Sequence, residues 1–254
     1  MLLAIDIGNT NIIFGVHDGQ TWRYRWRAQT VPAKMPDEYG TLLRSFFRDV
    51  GLTPADLRQT IISSVVPALT GKFQEVLARQ QFPAPVLVNH TTATMLHFVV
   101  GDPAEVGADL IADAAAAYAR FGAACIIVDF GTATTFTAVS ARAEFMGVAI
   151  APGLNLAASV LAGGTAQLPN IALAAPPHAI GTNTVDSIRS GVVLGYVGLV
   201  EGLVARIRAE LGGEAHVIAT GGLSRLIAPL TTCFDAVDVD LTLEGIRLIA
   251  ERHR

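Results

Sequence analysis

The feature that most constrains this chain is a strand that ends twice in the same kind of turn. Ile5-Asp6-Ile7-Gly8-Asn9-Thr10-Asn11 and Val128-Asp129-Phe130-Gly131-Thr132-Ala133-Thr134 lie about 120 residues apart. Each is an apolar run carrying one Asp, followed by an apolar residue, a Gly and small hydroxyl or amide side chains. The Gly permits a tight turn whose backbone N–H groups can approach an anion, and the Asp sets a carboxylate beside it.

The surroundings of the two turns repeat as well. After the first come strand patterns at 2–8, 11–17 and 21–28, with Asp18-Gly19 as a hairpin turn signal. Helical patterns at 37–50, 67–80 and 103–121 then alternate with β-branched runs at 60–64 and 86–88. Pro103 suits the first turn of its helix, where a missing N–H costs nothing. Near Gly122 the order restarts, with strands at 124–131, 134–140, 144–150 and 216–220. Helices are expected at 154–161, 184–211, 223–230 and 241–252. This predicts an α/β fold of two duplicated halves, 1–121 and 122–254, each a mixed sheet with flanking helices that face each other across a cleft. A chain of 254 residues has room for both.

Composition removes several classes. The chain is 51% hydrophobic and 16% charged, which favours sizeable cores over disorder. A net charge of −4 gives no general attraction to nucleic acid or to an anionic membrane. The segment Trp22-Arg23-Tyr24-Arg25-Trp26-Arg27 has the interleaving of a base-stacking platform, but strand alternation puts aromatics and arginines on opposite faces. It reads as an amphipathic strand. No charge appears from Phe145 to Pro177, yet Pro152, Gly153, Gly163, Gly164 and Pro169 interrupt the stretch, so a buried loop–helix–loop is expected rather than a membrane span. The start reads as a strand without the charged leader of a signal peptide, which points to the cytoplasm. Cys125 and Cys233 read as free thiols, and the six histidines have no zinc-ligand spacing.

The chemistry sits in the turns. Around Gly8 and Gly131, the side chains of Asn9, Thr10, Asn11, Thr132, Thr134 and Thr135 add short donors for a polyphosphate. Asp6 and Asp129 supply carboxylates able to hold hydrated Mg²⁺ beside it. A third turn, Ala219-Thr220-Gly221-Gly222-Leu223-Ser224, follows an apolar strand and leaves room at Gly221 and Gly222 for a flat adenine or ribose. The chain has two lysines, Lys34 and Lys72, and neither belongs to a GxxxxGK[ST] loop; GxGxxG is absent too. Phosphoryl transfer would rest on positioning, metal ions and oriented donors.

With these turns, Ser63-Ser64-Val65-Val66-Pro67, Gly107-Ala108-Asp109, Ala149–Leu154 (AIAPGL), Ala166-Gln167-Leu168-Pro169, Gly181–Gly191 (GTNTVDSIRSG) and Leu241–Gly245 (LTLEG) resemble type III pantothenate kinase in order and spacing over essentially the whole chain. The resemblance implies two actin-like, ribonuclease H-like halves with ATP and Mg²⁺ in the cleft. It implies phosphorylation of pantothenate, which opens coenzyme A biosynthesis. It also implies K⁺ or NH₄⁺ near Asp129, and a homodimer whose interface helps form the acceptor site. Asp109 matches the family's general base, Gly107 belongs to the same acceptor motif, and Thr184 matches a residue that reaches acceptor bound mainly by the partner subunit.

The acceptor motif departs from the family pattern. Leu110 stands where the family has Arg, Val100 where it has Tyr, and Asp113 where it has Asn. An ionic hydrogen bond is worth roughly 1.5–3 kcal/mol, so losing that arginine predicts about tenfold to more than a hundredfold weaker pantothenate binding. Asp113 lies one helical turn from Asp109, and repulsion between the two carboxylates is expected to raise one pKa. Three functions follow from the resemblance: a pantothenate kinase anchoring its acceptor through other residues such as Arg189 or Arg120; a kinase for another neutral acceptor such as a sugar, polyol or nucleoside; or a non-catalytic regulatory relative of the Bvg accessory factor type.

Overall fold

The computed structural model describes residues 1–165 and 167–253; Ala166, from one of the motifs above, lies outside them. The chain divides into two compact units. Unit 1 comprises Met1–Leu96, Gly101–Ala116 and Leu241–Arg254; unit 2 comprises His97–Val100 and Ala117–Asp240.

Unit 1 is built on strands β1 (Leu2–Ile7), β2 (Asn11–His17), β3 (Trp22–Gln29), β4 (Gln59–Ser64) and β5 (Pro85–Leu87), in the order β3-β2-β1-β4-β5. β1 to β3 form an antiparallel meander, while β4 and β5 run parallel to β1. Helices α1 (Pro36–Asp49) and α2 (Pro67–Arg79) return the chain between strands. Apolar residues of β1 and β2, including Leu3, Ile5, Ile12 and Phe14, pack with Leu43 and Phe47 of α1 and Leu69 and Phe73 of α2.

The alternation in β3 resolves the aromatic–arginine run. Trp22, Tyr24 and Trp26 are half-buried, while Arg23, Arg25 and Arg27 point outward. Trp26 stacks on Tyr24 at 5.7 Å and on Phe46 of α1 at 5.2 Å, so its ring faces are spent inside the unit.

Unit 2 repeats the plan. Strands β6 (His97–Phe98), β7 (Cys125–Phe130), β8 (Ala133–Val139), β9 (Glu144–Pro152), β10 (His216–Thr220) and β11 (Ala236–Val237) are ordered β11-β10-β7-β8-β9-β6. β7 to β9 are the antiparallel meander, and β10 and β11 run parallel to β7. The sequence pattern misses β6 and β11, two-residue strands too short to carry a periodicity. Helices α4 (Leu154–Gly163), α5 (Thr184–Arg189), α6 (Gly195–Glu210) and α7 (Ser224–Ile227) complete the unit, and a π-helical turn at Ser190–Leu194 joins α5 to α6. The continuous helix Thr184–Glu210 is long and apolar enough to span a membrane. Its Val193, Tyr196, Val200 and Val204 instead pack against Val128, Phe130 and Phe136 in the core of the unit. Both cysteines are free, and burial pushes the Cys125 thiol up to about 12.

Two expectations change. The helix predicted from 103 divides into a single 3₁₀ turn, Pro103–Glu105, and α3 (Ala108–Phe121). The Asp102 carboxylate accepts from the Ala104 N–H at 2.9 Å and closes the short turn, and Val106 is extended before α3 begins. The C-terminal helix α8 (Leu241–Glu251) belongs to unit 1, whereas a boundary at 121/122 places it in the second half. Its Leu241, Leu243, Ile246 and Ile249 are buried, and Gln59 on β4 donates to the Ala250 carbonyl at 2.9 Å. Gly245 of α8 sits directly on the Ala112 carbonyl of α3, where a Cβ would collide with backbone. Gly245→Ala is therefore expected to destabilise unit 1 by about 1–3 kcal/mol through overpacking. A shift of the denaturant midpoint would measure this; an unchanged midpoint would show that the two helices separate freely.

Candidate active site

Each unit assembles its own part of the chemistry. In unit 1, β1 is clasped between an antiparallel and a parallel neighbour, and Asp6 near its end lies opposite Ser63 of β4. The buried Ser63 hydroxyl donates to Asp6 Oδ1 at 2.9 Å, which fixes one carboxylate oxygen. The turn that follows is tight: the Gly8 N–H donates to the Asn11 carbonyl at 3.0 Å, and a Cβ on Gly8 would stand 3.2 Å from that oxygen. Asn9, Thr10 and Asn11 are exposed around it.

The first turn of α3 joins this end of the sheet. The Val65 N–H, just past β4, donates to the Ile7 carbonyl at 3.0 Å, and Gly107 packs within van der Waals reach of the Val65 side chain. A Cβ on Gly107 would also come within 2.6 Å of Asp109 Oδ1, so the glycine leaves room for that carboxylate. Asp109 is partly buried, and its Oδ1 accepts from the Leu110 N–H at 2.8 Å. Burial pushes the Asp109 carboxyl above its ordinary value, with the backbone N–H groups opposing the shift. Desolvation, rather than the repulsion from Asp113 expected from sequence, leads. Asp113 is buried one turn further along α3 and accepts from the Thr242 hydroxyl of α8 at 2.8 Å. Leu110 is buried, so the family's arginine position offers no charge.

In unit 2, Asp129 of β7 lies between Thr220 of β10 and Thr135 of β8. Three turns meet there. Gly221 adopts a φ of +83° and lies so close to Asp129 and Phe130 that any side chain would strike the carboxylate and the Phe130 backbone. Gly153, at the start of α4, packs onto the Gly131 and Thr132 carbonyls. The Tyr196 hydroxyl of α6 donates to the Pro152 carbonyl at 2.5 Å and braces that contact from behind. Gly131 and Thr132 are exposed, Thr135 partly so, and Gly222 faces open space. The side chain of Thr134, one of the short donors expected from sequence, is fully buried in the unit.

Unit 2 also holds Thr184 and Val100. Thr184 opens α5 after Asn183, whose Oδ1 accepts from the Asp186 N–H at 2.9 Å, and it lines an open pocket of about 600 Å³ with Leu161, Leu168 and Ser187. Val100 is partly buried just beyond β6. Arg120 pairs with Asp238 at 3.3 Å, and Arg189 pairs with Asp186 at 3.7 Å while donating to the Ala172 carbonyl. Ser63, Gly153 and Tyr196 belong to these constellations without having been singled out as site residues from sequence. The signals for the first two lay inside the matched motifs; Tyr196 had none. Among the described residues no group of three or more His, Cys, Asp or Glu side chains could hold a metal ion. Asp6 alone suits a hydrated Mg²⁺ whose other ligands are water and phosphate.

Two copies of one five-strand plan, each ending its central strand in an Asp-x-Gly turn, define an actin-like, ribonuclease H-like fold. A family model described as type III pantothenate kinase matches residues 2–206, and the chain belongs to that family. Type III pantothenate kinase of Thermomicrobium roseum is 49% identical over 100% of this chain and 98% of its own length. That of Anaeromyxobacter sp. (strain K) is 45% identical over the whole of both chains. A crystal structure from Campylobacter jejuni, described as a Baf family transcriptional activator, superposes with a TM-score of 0.64 at 18% identity, covering 99% of this chain and 98% of the other. That likeness is one of fold.

A carboxyl whose folded-state pKa is raised binds more protons folded than unfolded at intermediate pH. Ionising Asp109 therefore costs stability as pH climbs from the unfolded value through the folded one. Asp109→Asn is expected to raise the melting temperature near neutral pH and to leave it close to wild type at about pH 3, below the usual carboxylate range. Melting curves at both pH values test this; a lower melting temperature near neutrality would contradict the burial penalty.

Proposed function

We propose that the chain is an ATP-dependent pantothenate kinase, forming 4′-phosphopantothenate and ADP in the first step of coenzyme A biosynthesis in the cytoplasm. The observation that carries this reading is full-length identity of 43–49% to type III pantothenate kinases, in a chain that keeps both Asp-x-Gly turns and the carboxylate at position 109. The regulatory and alternative-acceptor readings have no comparable support.

In this reading the 8–11 turn of unit 1 offers backbone N–H groups to phosphate; within unit 2 the 131–132 turn does the same, and Gly221 and Gly222 leave space for a nucleoside. Asp109 accepts the proton of the pantothenate primary hydroxyl as its oxygen forms a bond to the γ-phosphorus, and the bond to the β-γ bridging oxygen breaks to release ADP. The raised pKa of Asp109 suits a base that must also let the proton go. Asp6, steadied by Ser63, would hold Mg²⁺ through water, and bound Mg²⁺ would offset charge on the phosphate oxygens. Asp129 would lie near the K⁺ or NH₄⁺ ion.

A homodimer fits the exposed face of unit 2. β9 turns Met146, Val148 and Ile150 outward, and Leu156 and Val160 of α4 are also exposed. Such a run of apolar residues favours burial against a second copy. Thr184 would then reach the acceptor of the partner subunit.

The deciding assay is ATP consumption with pantothenate, Mg²⁺ and K⁺ or NH₄⁺. Pantothenate-dependent turnover is expected, and Asp109→Asn should lower kcat by about 10²–10⁴ with ATP affinity kept. ATP binding without pantothenate turnover would remove the acceptor assignment. Separately, sedimentation should give a dimer that Ile150→Glu dissociates; a wild-type monomer would sink the assembly.

A further inference from the structure

We infer that Thr30 is a positioning residue for the phosphoryl donor: it holds the 8–11 turn so that its N–H groups, and not its carbonyls, face the phosphates. This rests on the donor-binding role proposed above for that turn. Thr30 immediately follows β3, is 9% exposed and lies 22 positions from Gly8 in sequence. Its hydroxyl donates to the Gly8 carbonyl at 2.6 Å, and its own N–H donates to the Thr10 carbonyl at 2.9 Å. One residue thus captures two carbonyls of a single turn, and the Gly8 N–H takes a third, that of Asn11.

The consequence follows from peptide planarity. In a trans peptide the C=O of one residue and the N–H of the next point in opposite directions, and no cis peptide occurs among the described residues. With the Gly8 and Thr10 carbonyls held toward Thr30, the Asn9 and Asn11 N–H groups point away from it. A turn that binds an anion needs this polarity, because an inward carbonyl would repel the phosphate oxygens.

Unit 2 contains the counterpart. β9 occupies the place in its sheet that β3 occupies in unit 1, and Gly153 immediately follows β9. Gly153 packs against the Gly131 and Thr132 carbonyls of the second turn. The residue after the third strand therefore meets the carbonyl side of the turn in both units, with a hydroxyl in one and with bare backbone in the other. Nothing near Thr30 in sequence marks it; the sheet order brings it to the turn.

The test compares Thr30→Val, which keeps shape and backbone N–H but loses the hydroxyl donor, with Thr30→Ser, which keeps the donor. Calorimetric affinities for ATP, ADP and adenosine are measured on the full chain, alongside KM for ATP and pantothenate and the melting temperature. Thr30→Val should weaken ATP binding and raise its KM about tenfold, the effect of roughly one hydrogen bond. Adenosine affinity and the pantothenate KM should stay within about twofold, and Thr30→Ser should recover most of the loss. Thr30→Ala serves as a second loss variant should the valine protein misfold. The inference is overturned if ATP affinity is unchanged while melting falls, or if adenosine affinity falls in step with ATP. Wild-type ATP binding without pantothenate turnover would defeat only the acceptor reading, since the nucleotide affinities still judge Thr30. A wild type that binds no nucleotide would overturn both.

Discussion

A backbone turn can serve a polyphosphate only if its own carbonyl oxygens are engaged elsewhere, and much of each unit is arranged to meet that condition. N–H and C=O groups come in equal number along a turn, so every donor offered to an anion leaves an acceptor to be placed. The meander supplies the solution. Its third strand returns alongside the second and delivers Thr30 to the first turn and Gly153 to the second turn, on the carbonyl side in each case. Beyond the sheet, Tyr196 bonded to the Pro152 carbonyl steadies the approach in unit 2. The antiparallel neighbour fixes the turn, while the parallel neighbour contributes a hydroxyl-bearing residue, Ser63 or Thr220, opposite the Asp.

The same economy governs Asp109. A carboxylate serving as a base, the role proposed for Asp109, gains from partial burial, which raises its proton affinity, but burial without partners is costly. The chain limits that cost with the Leu110 N–H and with Gly107, which leaves space for the carboxylate. It then holds the helix one turn further along: Thr242 bonds Asp113, and Gly245 lets α8 press on Ala112. The closing LTLEG segment thus braces α3, which explains why its helix groups with unit 1 although it ends the chain.

Much of this was legible in the sequence because it is local. Strands ending in Asp-x-Gly, the Asp18-Gly19 hairpin and the long apolar helices announce themselves through period and turn chemistry, and the restart near Gly122 announces the duplication. What remained hidden depends on contacts between distant segments. The roles of Thr30 and Tyr196 require knowing which strand lies beside which, and the place of α8 requires the contact of Gly245 with Ala112. The burial of Thr134 is hidden for a related reason: the turn chemistry marks a donor, whereas strand alternation along β8 turns it inward with Phe136. The break before α3 was missed because Pro103 signals a helix start without saying how long that helix lasts.

The contrast between donor and acceptor parts has the same origin. The phosphate recognition proposed here is made largely by backbone, so it would survive exchange of most side chains provided that Gly8, Gly131 and Gly153 remain glycine and Thr30 keeps its hydroxyl. Recognition of an acceptor is made by side chains, each replaceable by one substitution. Leu110 and Asp113 illustrate this. A buried leucine stands where the family pattern has a guanidinium, while α8 holds the helix through Asp113 and Ala112. A carboxylate at 113 is tolerated because Thr242 donates to it. A chain built in this way can keep its phosphoryl chemistry fixed while its grip on the acceptor drifts, and the acceptor motif is where the sequence departs from the family pattern.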